Sequence, residues 1–136
     1  MLKYARWLFG SAALFNALVA ASVLFLEQML RPLLGLEVAT GSNLVMRDLA
    51  MALVAAFGVA YLCVALDPRR FRPYIVLGVL GKCLVLVCVF GHWLASHIGW
   101  QLPTLALGDA IYSLLFLQFL RRYPAWVPMN KETQDE

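Results

Sequence analysis

Read from its N-terminus, the chain alternates long uninterrupted apolar runs with short polar stretches. Four runs stand out: Trp7 to Leu26, about Leu44 to Leu66, Pro73 to about Ala95, and about Leu102 to Leu120. Each comes close to the roughly 20 residues that a helix needs to cross the hydrocarbon core of a bilayer. Because the hydrophobic residues come in runs and not in alternating patches, the solvent of this domain must be lipid. The pattern predicts an all-α polytopic membrane protein, an antiparallel four-transmembrane-helix bundle with helices over about 5–27, 44–66, 73–96 and 102–121. These make one domain over 1–122, followed by a polar tail over 123–136 that is expected to be disordered near its end.

The stretches between the runs say how the helices are joined. Between the first two, Glu27 to Asn43 contains an amphipathic piece, with Met29, Leu30, Leu33 and Leu34 around Arg31 and Pro32, and then a Gly-Ser-Asn turn. Such a piece is expected to lie along the membrane surface. The second connection, Asp67-Pro68-Arg69-Arg70-Phe71-Arg72-Pro73, is short and basic, and its prolines stop one helix and start the next. The helices it joins are therefore expected to be antiparallel neighbours. In the third, His97 to Pro103, Trp93 and Trp100 are placed like interfacial anchors.

Composition strengthens the membrane reading. The 136 residues are 62% hydrophobic and 14% charged, with a mean hydropathy of +0.77, against roughly 45 to 50% apolar and about 25% charged for soluble domains. The net charge of +3 does not point to nucleic acid, because the basic residues sit in clusters at the edges of apolar runs. Lys3 and Arg6 ahead of the first run look like the start of a signal peptide, but that run exceeds the usual h-region of roughly 7 to 15 residues. It is expected to be kept as the first helix. Cys63, Cys83 and Cys88 fall inside apolar runs with no CxxC and no His at ligand spacing, so they are expected to be packing residues, with no disulfide framework, metal site or cofactor encoded.

Charge also orients the chain, since loops rich in Lys and Arg stay in the cytoplasm. Lys3, Arg6, Arg69, Arg70, Arg72, Arg121, Arg122 and Lys131 fall on one side and only Arg31 and Arg47 on the other. Both termini are therefore expected in the cytoplasm. The basic connection is a topology determinant that also attracts anionic lipid.

Ionisable groups inside the apolar runs carry the most information, because each costs roughly 2.5 to 3.5 kcal/mol at the centre of a transmembrane helix on insertion scales. At about 1.5 Å rise per residue, Lys82 lies about 13 Å along the third helix from Pro73, and Asp109 about 9 Å along the fourth from Pro103. Since those helices run in opposite directions across a core of ~30 Å, the two groups differ in depth by only about 7 Å, within reach of a lysine stem. They are expected to pair, as structural glue or as a functional site.

Helical spacing assigns each helix an expected interior face: Ala12, Asn16, Ala20 and Val23; Asp48, Ala52, Ala55 and Val59; Gly78, Lys82, Val85, Val89, His92 and Ser96; and Asp109, Tyr112, Ser113 and Phe116. Arg47, Asp48, His92, Asp109 and Tyr112 are candidates to converge in a polar pocket in the half away from the basic connection. Each also has a plainer reading: Arg47 and Asp48 as solvated helix-start residues, His92 as an interfacial residue, Asn16 as an interhelical hydrogen bonder. The candidate ligand or ion site is thus Lys82, Asp109, Arg47, Asp48, His92, Tyr112 and Asn16.

Arg47 at the start of the second helix, Tyr61 before Asp67-Pro68, Gly81-Lys82 and Gly108-Asp109 together resemble a group of uncharacterised bacterial four-helix membrane proteins, distantly DoxX-like. The resemblance implies a compact four-helix bundle and a bacterial inner membrane, and assigns no catalytic residue. Small multidrug transporters are expected to carry a glutamate within the first helix, where this chain has only Asn16. The glutathione-using MAPEG enzymes are expected to have a polar second helix, which here turns apolar after Asp48. No nucleophile and base pair is visible, so the expected role is non-enzymatic: a binder of a lipid-like ligand or an accessory subunit of a membrane complex. The alternative is a proton- or ion-coupled transporter or channel using Lys82 and Asp109. Expected partners are membrane lipids, further copies of the chain or a larger membrane complex, and no nucleic acid.

Overall fold

A computed structural model describes residues 2–124 of the chain. Lys131 and most of the polar tail lie outside the described residues. The described residues form five helices: α1 (Leu2–Phe25), α2 (Glu27–Leu34), α3 (Ser42–Leu66), α4 (Arg72–Leu94) and α5 (Gln101–Arg122). Four of them, α1, α3, α4 and α5, are long and apolar enough to cross a membrane, and the chain is a polytopic membrane protein.

The ends of the helices follow from local chemistry. A single residue, Leu26, separates α1 from α2, and α2 stops where Gly35 enters the left-handed region at φ 64° with its N–H donating to the Arg31 carbonyl. Between α3 and α4, Asp67 Oδ1 accepts from the backbone N–H groups of Arg69 and Arg70 at 3.1 Å each, closing the turn. Pro73 then sits in the first turn of α4, where a missing N–H costs nothing. The Arg72 guanidinium donates to the Tyr123 carbonyl and, at 3.2 Å, to that of Leu120, satisfying the last carbonyls of α5. This ties the α3–α4 turn to the end of α5. At the far end of α4, the His97 N–H donates to the His92 carbonyl and Ser96 takes φ 61°, so that a serine occupies the left-handed position that ends the helix.

Side-chain register gives the topology. On α1 and α3, Asn16 meets Val54 and Ala13 faces Gly58. Between α1 and α5, Phe9 meets Phe116 while Phe15 meets Tyr112. Lys82 meets Asp109 and Arg72 meets Leu120 across α4 and α5, and Gly78 and Gly81 of α4 face Tyr61 and Phe57 of α3. In each pair one helix is read forward and the other backward, so neighbours are antiparallel and the four spans close as a ring in the order α1, α3, α4, α5. One end of the bundle carries the start of α1, the α3–α4 turn and the end of α5, and is called here the basic end. The other carries α2.

Packing is tightest at the basic end. Ala5, Phe9, Ala12, Tyr61, Val64, Ile75, Phe116 and Phe119 form the core, with Phe9 tilted on Phe116 at 4.7 Å and edge-on to Phe119 at 5.2 Å between ring centres. Leucines such as Leu14, Leu18, Leu49, Leu62 and Leu114 point outward, as expected of a surface that meets acyl chains.

The interior faces agree with expectation in part. Ala12, Asn16 and Ala20 of α1, Gly78 and Lys82 of α4, and Ser113 and Phe116 of α5 are buried. On α3 the expected face is wrong: Asp48 and Ala52 are exposed and Val59 is 63% exposed, whereas Gly58, Tyr61, Val64 and Ala65 are buried. The reason is that Gly58 lets the α1 backbone approach, while Tyr61 fills the space against α4 and α5. On α4 the expected face is interior only near the basic end, since Val85, His92 and Ser96 are exposed. Of the three cysteines, all free, Cys63 is partly buried and Cys83 and Cys88 are exposed, Cys83 with its Sγ 3.6 Å from Ser113 Oγ of α5 and Cys88 on the wall of the cleft.

Candidate functional site

The separation of α3 from α4 in the half of the bundle nearer α2 creates the site. At the basic end the two helices touch, with Tyr61 lying on Gly78 so closely that a Cβ there would come within 2.6 Å of the ring. Further along, α3 stays with α1 through the Asn16 Nδ2 to Val54 carbonyl bond of 3.1 Å, and α4 stays with α5. The cleft left between them has a volume of about 590 Å³. Leu53 of α3 and Leu80 and Leu84 of α4 border it and are outward-facing at mid-helix, so it opens sideways towards the lipid-facing surface.

Its floor is polar. Lys82, only 3% exposed, donates from Nζ to Asp109 Oδ1 at 2.5 Å. The ammonium also lies 5.9 Å from the ring centre of Phe15, 5.4 Å from that of Tyr61 and 5.5 Å from that of Tyr112. It is thus compensated twice, by a full negative charge and by the negative faces of three rings. A glycine on α5 makes one of these contacts possible, because a Cβ at Gly108 would lie 3.0 Å from the Phe15 ring edge. Asp109 is held less tightly; its side chain is 20% exposed and lines the cleft.

Lys82, Asp109, Tyr112 and Asn16 are therefore brought together around one space: Tyr112 joins the cage, and Asn16 and the ion pair line the cleft. Arg47, Asp48 and His92 are not part of it. Arg47 donates to Glu27 and makes two bonds to Asp48 Oδ1, at 2.6 and 2.9 Å, and Arg31 donates to Glu27 at 3.2 Å. The result is a chain of alternating charges that fastens α2 to the start of α3. His92 faces His97 with their Nδ1 atoms 3.0 Å apart in the α4–α5 connection, a contact that needs one ring to donate and the other to accept. Among the described residues no group of three or more His, Cys, Asp or Glu side chains is arranged to hold a metal ion.

Sequence reasoning left Phe15 and Tyr61 out of the site and Glu27 out of the charge chain beside α2. Glu27 carried a signal, since it stands four residues before Arg31 at the edge of an apolar run. The two rings carried none, because an aromatic residue in an apolar helix looks the same whether it faces lipid or a cation. The chain matches no protein-family model, no curated protein and no solved structure.

Proposed function

We propose that this is a non-enzymatic membrane protein that holds a lipid-like ligand in the cleft between α3 and α4, alone or as an accessory subunit of a larger complex. The carrying observation is a lateral cleft of about 590 Å³ whose walls are apolar and whose floor is the Lys82–Asp109 pair. That size falls within the roughly 300 to 1,000 Å³ of small-molecule sites, which combine apolar walls with a few placed polar groups. In this reading the chain sits in a bacterial inner membrane with both termini in the cytoplasm, supported by the basic end and by the resemblance to DoxX-like proteins. The test is lipid extraction and mass spectrometry of the purified protein and of Ala50→Phe, which places a ring in the cleft from its α3 wall. A lipid retained by the wild type and lost from the folded variant supports the reading; equal lipid content in both overturns it.

A second reading, ion-coupled transport, draws on the partial exposure of Asp109 to the cleft. It requires that Asp109→Asn abolish a pH-dependent flux in reconstituted vesicles.

A further inference from the structure

Resting on the reading of the cleft as a lipid-like ligand site, we infer that the head of its ligand is an uncharged hydroxyl, so that the cleft selects an alcohol-type amphiphile over fatty acids, phospholipids and cationic amphiphiles. Charge argues first. Among the described residues, Lys82 and Asp109 are the only acidic or basic side chains lining the cleft, and they cancel in a direct bond. The ammonium that an anionic head would seek is already committed to Asp109 and enclosed by three rings. A carboxylate or phosphate would enter a low-dielectric cleft beside Asp109 with no free cation, and an ammonium would have to share Asp109 with Lys82. Either leaves a buried charge uncompensated, whereas a neutral polar group needs only hydrogen bonds.

The unused hydrogen-bonding capacity argues second. Asp109 Oδ2, Asn16 Oδ1 and the Tyr61 hydroxyl have no hydrogen-bond partner among the described residues. None of them is among the fully enclosed atoms that lack a partner. All three residues line the cleft, Tyr61 and Asn16 with little of their surface exposed. Two of the three atoms can only accept, so the ligand head must donate, and the Tyr61 hydroxyl can in turn donate to a lone pair of the head. A hydroxyl does both with one atom. Its chain then leaves past Leu80, Leu84 and Leu53 towards lipid.

The inference is tested in vesicles with three photoreactive amphiphiles of equal chain length, each with a mid-chain diazirine and bearing a hydroxyl, a carboxylate or a trimethylammonium head. Crosslinked peptides are mapped for the wild type, Ala50→Phe and Tyr61→Phe. Cleft residues should be labelled by the alcohol about fivefold more than by either charged probe, and Tyr61→Phe should reduce the alcohol's advantage severalfold, the scale of one hydrogen bond. Ala50→Phe should remove cleft labelling. Cleft labelling that is equal for all heads, or stronger for a charged one, overturns the head assignment and leaves the lipid-like reading standing. No cleft labelling by any probe overturns both.

Discussion

At the scale of single residues, the Lys82–Asp109 contact is sustained by mutual need. An ammonium in an apolar helix bundle is tolerated only with its countercharge, and removing one partner of such a pair typically costs about 3 to 5 kcal/mol, while replacing both by apolar residues is often neutral or stabilising. Lys82 is 3% exposed but Asp109 reaches the cleft, which puts the expected cost at the lower end. Lys82→Met and Asp109→Leu should each lower unfolding free energy in detergent by about 3 kcal/mol. The double variant should return to within about 1 kcal/mol of the wild type. A double variant no more stable than the singles would mean that the three rings depend on the ammonium for their packing.

At the scale of elements, α3 and α4 differ from what spacing alone assigns. A helix apolar on every side has no polar face to mark its rotation, so small residues were the only guide, and on α3 the stripe through Ala52 and Ala55 was the wrong one. The face that packs is set by shape, where Gly58 admits the α1 backbone and Tyr61 lies over Gly78. The end of α4 supplies a second lesson. Ser96 holds φ 61°, a conformation that costs a residue with a Cβ about 1 kcal/mol. Its side chain is exposed. Ser96→Gly should therefore stabilise the protein by up to about 1 kcal/mol, read as a higher thermal midpoint in detergent. A lower midpoint would mean that the serine side chain supports the α4–α5 connection.

At the scale of the whole molecule, the two ends of the bundle are chemically distinct. The basic end gathers Lys3, Arg6, Arg69, Arg70, Arg72, Arg121 and Arg122. The other is closed by α2 and its chain of charges from Arg31 through Glu27 and Arg47 to Asp48. If the first faces the cytoplasm, a membrane-impermeant maleimide added to intact cells should label Thr40→Cys and leave Arg69→Cys unlabelled until the cells are permeabilised. The reverse pattern would invert the assignment made from charge.

Spans, connections and the intramembrane pair were legible in the sequence because length, apolarity and the cost of a buried charge are local properties. A run such as Leu44 to Leu66 is long enough to cross a bilayer whatever it packs against, and two opposite charges at similar depth on adjacent antiparallel helices have few other places to go. The amphipathic piece after the first run was legible in the same way and forms α2. What only the tertiary structure decided were the contacts that lipid leaves unmarked: the rotation of α3, the cleft where it parts from α4, and the closure of Phe15, Tyr61 and Tyr112 around Lys82. It also separated Arg47, Asp48 and His92 from the floor of the cleft, since Arg47 pairs with Glu27 and Asp48 while His92 faces His97. In a bilayer the hydrophobic effect fixes which segments are inside but gives no preference among the faces of an all-apolar helix, so those choices fall to shape and to pairing across the whole fold.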